Sequence, residues 1–145
     1  MDFRGRLCIA ILSLVGLLLV ASAQDQKPTM KVAPAQQTSP ASGKEMFKAY
    51  CASCHGTDAK GDGPAASALK TPPADLTMLA KNNGGKFPAD KVTAVLRGQA
   101  NLAAHGNQEM PVWGKVFWRM SQGHEGEVQQ RVANLTHYLE SLQAK

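Results

Sequence analysis

Cys51-Ala-Ser-Cys54-His55 is the stretch of this chain best equipped for chemistry. Two cysteines three apart, with a histidine directly after the second, form the attachment pattern of a c-type haem. The spacing has a chemical reason. Both thiols must reach the two vinyl groups on one edge of a porphyrin and become thioethers. One helical turn separates Cys51 from Cys54, so their sulfurs lie on one side of a helix. His55 then projects beneath the ring and can offer its imidazole to the iron. Two other chemistries use the same residue types. A thioredoxin-like redox pair expects a βαβ pattern around it, and no convincing strand is legible here. A zinc site needs a fourth ligand, which only an isolated His105, His124 or His137 would supply.

A haem of this kind takes a second axial ligand from the other face. Met110, in Glu109-Met110-Pro111-Val112-Trp113-Gly114, is the first candidate. Gly106, Pro111 and Gly114 make the surroundings loop-like, and Pro111 stiffens the chain directly after the sulfur. His/Met ligation favours the ferrous state and raises the potential. The competitors are Met120, which follows Phe117 and Trp118, and His105 in the same loop. Met46 lies on the cysteine-bearing segment and Met78 in a short apolar stretch, so both read as packing. Trp113 reads either as an aromatic lid on the haem edge or as an indole N–H donor to a propionate.

These residues need elements to hold them. Ser42 and Glu45 have the spacing of a capping box, and Met46, Phe47, Tyr50 and Cys54 recur at helical spacing, so a helix is expected over 43–54. Residues 56–63 hold three glycines and two aspartates and must be loop. A short helix is expected near 75–80, a turn at 82–85, and a helix over 88–97 ended by Gly98. Val128, Val132, Leu135, Leu139 and Leu142 step by four, three, four and three, the one-sided stripe of a last helix. Glu125 and Glu127 near its start suit the helix dipole. The fold class is therefore all-α, with four to five short helices around one haem. So small a core gains from a large apolar cofactor bonded to the chain.

The flanks bound compartment and partners. Arg4 and Arg6, the apolar run 7–20 and Ala21-Ser22-Ala23 have the layout of a secretory signal. Residues 1–23 are read as that signal, or as an uncleaved anchor, and Cys8 goes with it. Residues 24–41 are rich in Pro, Ala, Gln, Ser and Thr and read as a flexible spacer; the domain is placed at 42–145. Export implies a periplasmic location, with membrane contact only if the first segment stays. The formal charge of the chain is +5. That excess is too small and scattered for nucleic acid and permits a basic docking rim for an acidic redox protein. The protein is expected as a monomer or as a subunit of a complex.

With these motifs in place, the chain resembles the class I cytochromes c, the small monohaem type secreted by bacteria. Gly43-x-x-x-Phe47-x-x-x-Cys51 resembles their N-terminal helix, and Leu135-x-x-Tyr138-Leu139 their C-terminal one. The resemblance implies that these helices cross at nearly right angles, with Gly43 against Tyr138. Cys54-His55-Gly56, Gly61-Asp62-Gly63-Pro64, Pro72-Pro73-Ala74-Asp75-Leu76-Thr77 and Met110-Pro111-Val112-Trp113-Gly114 are similar to cytochrome modules of respiratory and dehydrogenase complexes. The likeness spans about residues 42–143. It implies one covalent haem c on Cys51 and Cys54, iron between His55 and Met110, and one-electron transfer between donor and acceptor proteins without enzymatic chemistry. It also implies a proline carbonyl that orients His55. Pro64, Pro72 and Pro73 are the candidates, with Pro64, nearest the glycine loop, placed first. Two alternatives stand beside the carrier: a fixed or tethered haem subunit of a larger complex, and a haem peroxidase or sensor with an open iron, for which Arg97 and His105 are the nearby groups.

Overall fold

A computed structural model of the chain describes residues 35–100 and 110–144. The first helical segment begins where Ser42 caps it, its hydroxyl accepting from the Glu45 N–H at 3.2 Å. Three pieces follow without a break: α1 (Gly43–Met46), a π-helical turn (Phe47–Cys51) and α2 (Ala52–His55). The expected helix is present, but its middle is wound wider. Ala52 N–H donates to the Phe47 carbonyl, five residues back. Nothing in the residue types of that turn announces it. Gly56, at φ 77°, ends the segment.

Short 3₁₀ turns follow at Ala66–Ala68, Leu76–Met78 and Lys81–Asn83. Asp75 caps the second, accepting from the Thr77 N–H at 2.9 Å. Then come α3 (Ala89–Arg97), α4 (Trp113–Met120) and α5 (Glu125–Ser141). There is no strand among the described residues. The architecture is all-helical, as expected. Gly98 stops α3 in the left-handed region at φ 72°. Helix α4 is a correction to the loop-like reading. Trp113, Val116, Phe117 and Met120 lie at i, i+3, i+4 and i+7, a helical stripe that Pro111 and Gly114 obscure. Trp113 and Phe117 are buried by it.

Helix α5 is the spine. Val128, Val132, Leu135 and Leu139 are buried along it, and α1, α3 and α4 all pack against it. The crossing with α1 is tight. A Cβ on Gly43 would stand 2.1 Å from the Asn134 carbonyl oxygen and 2.7 Å from the Tyr138 Cβ. Phe47, 2 % exposed, then packs its ring 5.5 Å from that of Tyr138. Gln143, just past α5, clasps the 76–80 region. Its side chain accepts from the Ala80 N–H at 2.8 Å and donates to the Leu76 carbonyl at 2.8 Å.

The chain ahead of α1 departs from the spacer reading. Thr38 is 7 % exposed, and the Pro40 carbonyl accepts from Asn134 Nδ2 at 2.9 Å. Residues 36–40 therefore form a strap across α5, and the ordered domain reaches upstream of residue 42. Residues 24–34 of the spacer and the signal segment lie outside the described residues. Among the described residues no helix is long and apolar enough to cross a membrane.

The strap meets a buried cation. Arg131, 2 % exposed, donates to Thr38 Oγ1 at 3.1 Å and to Glu127 Oε1 at 2.8 Å, and its guanidinium lies 5.9 Å from the Phe117 ring centroid. A buried charge needs such a partner. Hydrogen bonding from Arg131 holds the Glu127 carboxyl below its ordinary value of 4.5. A depressed carboxylate stabilises the fold above its unfolded pKa, and that stabilisation is lost as pH falls through the folded value. Glu127→Gln is therefore expected to lower the melting temperature at pH 7, with the gap to wild type closing below about pH 4.5. Thermal unfolding followed across pH 3–7 checks this; a gap independent of pH would rule out the ion pair as its source.

Candidate haem site

The attachment helix needs support at its C-terminal end, where carbonyls lose their helical partners. The glycine loop supplies it. Gly61, Gly63 and Ala65 N–H groups donate to the carbonyls of His55, Cys54 and Ser53 at 2.8, 3.0 and 2.8 Å. Such close approach excludes side chains. A Cβ on Gly63 would stand 2.4 Å from the Ser53 carbonyl oxygen. The Gly-Asp-Gly sequence thus grips the backbone that carries the cysteines and the histidine.

His55 is oriented from its second nitrogen. Its Nδ1 lies 3.0 Å from the Ala74 carbonyl oxygen. A carbonyl only accepts, so Nδ1 carries the proton and Nε2 the lone pair, the tautomer a metal-bound histidine requires. This corrects the expected proline carbonyl. The acceptor is one residue past Pro72-Pro73, whose rings hold the chain extended there. Pro64 is exposed and does not line the cavity, so it drops out of the site.

Cys51, Cys54, His55, Met110, Pro111 and Trp113 all border one cavity of about 330 Å³. Its remaining surface is mainly apolar, with Leu69, Leu76, Leu79, Val92, Val95, Leu96 and Leu139 among the lining residues. A volume in the range of cofactor pockets, apolar walls and a few converging soft or imidazole donors suit a porphyrin. Met46, Met78 and Met120 do not border it. Met46 is fully buried in the core, and Met120 Sδ packs 3.8 Å from the Tyr50 hydroxyl. Of the methionines weighed as ligands, Met110 is the one brought to the cavity. His105 lies outside the described residues. Arg97, the other group considered for distal chemistry, pairs with Glu125 at 3.2 Å and does not line the cavity. Nor do His124 and His137, both exposed.

Cys51 and Cys54 are not disulfide-bonded. Burial, and then the neighbouring Cys54, pushes the Cys51 thiol up to about 12. Among the described residues no cluster of three or more His, Cys, Asp or Glu side chains could hold a bare metal ion, so the zinc alternative finds no fourth ligand there.

Trp113 is buried and stacks on Tyr50, ring centroids 5.3 Å apart at 29°. Neither Tyr50 nor Ala74 follows from motif spacing. An aromatic directly before an attachment cysteine was a usable signal for Tyr50. For Ala74 there was none, because its contribution is a backbone carbonyl.

No curated protein and no solved structure matches the chain significantly. The family model of "Cytochrome C oxidase, cbb3-type, subunit III" matches residues 38–118, from the strap through most of α4. That range takes in Cys51, Cys54, His55 and Met110 together with the carbonyl that orients the histidine. The match covers more than half of the chain, and it agrees with the all-helical architecture and the apolar cavity at the Cys51/Cys54 pair. The protein therefore belongs to this family of c-type cytochromes, an electron carrier rather than an enzyme, with covalent haem c on Cys51 and Cys54.

Proposed function

We propose that this cytochrome carries single electrons with its iron held between His55 and Met110, in an exported respiratory or redox chain. One observation carries the ligand assignment: Met110 borders the cavity of Cys51, Cys54 and His55, while Met46, Met78 and Met120 do not. The haem iron, when bound, supplies a ferrous/ferric couple that changes by one electron. The chain's own residues do the rest. Ala74 holds the imidazole in one tautomer and one direction. The glycine loop fixes the backbone of both cysteines. The apolar side chains around the cavity exclude water, which keeps the surroundings from reorganising between oxidation states. Export rests on the secretory layout of residues 1–23, and donor and acceptor are redox proteins met in small transient contacts.

The matched family is named for an oxidase subunit, and this favours a second reading with the same chemistry. In it the protein sits permanently in a larger complex, or is tethered beside one by residues 1–23.

Spectra and potentiometry of the exported wild-type protein test the ligand assignment. The expected result is a low-spin c-type spectrum in both states, a far-red sulfur-to-ferric band, a one-electron Nernst curve and little carbon monoxide binding. A high-spin ferrous form that takes carbon monoxide readily would overturn it in favour of an open site. Size-exclusion chromatography of gently solubilised membranes separates carrier from subunit.

A further inference from the structure

We infer that Tyr50 is a positioning residue for the axial methionine, clamping the Met110 loop to the haem-attachment helix through its stack on Trp113. The inference rests on the Met110 reading above and concerns a residue that reading does not use as a ligand. Tyr50 directly precedes Cys51, so its backbone moves with the first thioether. Trp113 follows Met110 by three residues, and Pro111 stiffens the span between them. The two rings face each other at 5.3 Å and 29°, and Phe117 backs both, at 5.8 Å from Tyr50 and 5.9 Å from Trp113. The stack is thus a direct side-chain bridge between the segment that bonds the haem and the segment that carries the second ligand.

The Tyr50 ring is itself pinned. Its hydroxyl donates to the Gln36 carbonyl at 2.6 Å. The Thr38 hydroxyl, at 2.7 Å, then serves as donor to the phenol oxygen, and Arg131 donates to Thr38 at 3.1 Å. Arg131, Thr38, Tyr50 and Gln36 form one directed chain of hydrogen bonds, in which each bond polarises the next. A ring held at its edge by the strap and on its face by Trp113 has little freedom to swing. Loss of the ring would free Trp113, and the loop would lift Met110 from the iron a larger fraction of the time.

Carbon monoxide binding to the ferrous holoprotein reads that fraction, because apparent affinity scales with the population of the open form. Tyr50→Leu is expected to raise the affinity about tenfold or more, and Tyr50→Phe, which keeps the stack, by about threefold or less. Val132→Ala, a core truncation that does not border the cavity, serves as the control for general loosening and is expected to change it less than about twofold. In the Met110→Ala background, Tyr50→Leu is expected to have no further effect, since the site is already open. An equal rise in both backgrounds, or a Val132→Ala effect as large as that of Tyr50→Leu, would overturn the inference. Wild type and Met110→Ala binding carbon monoxide equally well would remove the Met110 reading itself, and this inference with it.

Discussion

Gly43→Val is expected to yield little or no stable holoprotein, or one that melts roughly 12 °C or more below wild type. The Cβ of any residue at 43 would stand 2.1 Å from the Asn134 carbonyl oxygen. That oxygen belongs to the backbone of α5, so no rotamer change relieves the clash; the two helices must part. Overpacking of this kind costs about 3 kcal/mol or more, against a total stability of roughly 5–15 kcal/mol for a small domain. Parting the helices also pulls Phe47 away from Tyr138, whose rings meet just beside the crossing. Gly126→Ala is the matched comparison. A Cβ there has no neighbour within 4 Å, and replacing a glycine within a helix is expected to leave stability unchanged or raise it by up to about 1 kcal/mol. Melting curves of the two variants, read from far-ultraviolet circular dichroism, decide the matter. Equal behaviour would mean that the crossing is not the constraint it looks to be.

Met110→Ala is the variant expected to change the chemistry most while sparing the fold. Met110 is only partly buried, at the edge of the core, so its truncation is mild for packing. Its sulfur is soft and neutral and favours ferrous over ferric iron. Should the sulfur bind the ferrous form about a hundredfold better, its loss lowers the potential by about 0.12 V, at 59 mV per tenfold for one electron. The expected result is a fall on that order, disappearance of the far-red band, and avid carbon monoxide binding by the reduced protein. Retention of the band and of the potential would assign the ligand elsewhere, and the 101–109 segment with His105 would be the next place to mutate.

The long α5 was legible because Val128, Val132, Leu135 and Leu139 repeat at helical spacing and face one core. The attachment motif was legible because covalent chemistry tolerates little variation in spacing. The crossing at Gly43 came with the resemblance, and the close approach of Asn134 gives its physical reason. Other features escaped for separate reasons. Helix α4 was obscured by Pro111 and Gly114, although Pro111 lies before its first turn and a Cβ on Gly114 would stand a tight 3.0 Å from the Arg97 carbonyl oxygen. The strap was hidden by its composition; three polar anchors, the Gln36 carbonyl, Thr38 and the Pro40 carbonyl, hold it, and none leaves an apolar period. The burial of Arg131 was not legible, because it depends on Thr38 and Phe117 from two other segments. The orienting carbonyl of Ala74 could not be read at all, since every residue has one.

The wide turn at Phe47–Cys51 sets the phase between the two ends of its segment. Each residue advances an α-helix by about 100°, and the wide turn takes up one residue more than an α turn does, so winding the same residues as regular α-helix would turn everything beyond it by about that angle relative to Met46 and Gly43. The crossing with α5 and the haem attachment would then compete for the same helix: with Gly43 kept at Asn134, Cys51, Cys54 and His55 would aim away from the cavity. The turn acts as an angular offset between a packing face and a bonding face. Any shortening or lengthening of this helical segment has to preserve that offset for both faces to be met at once.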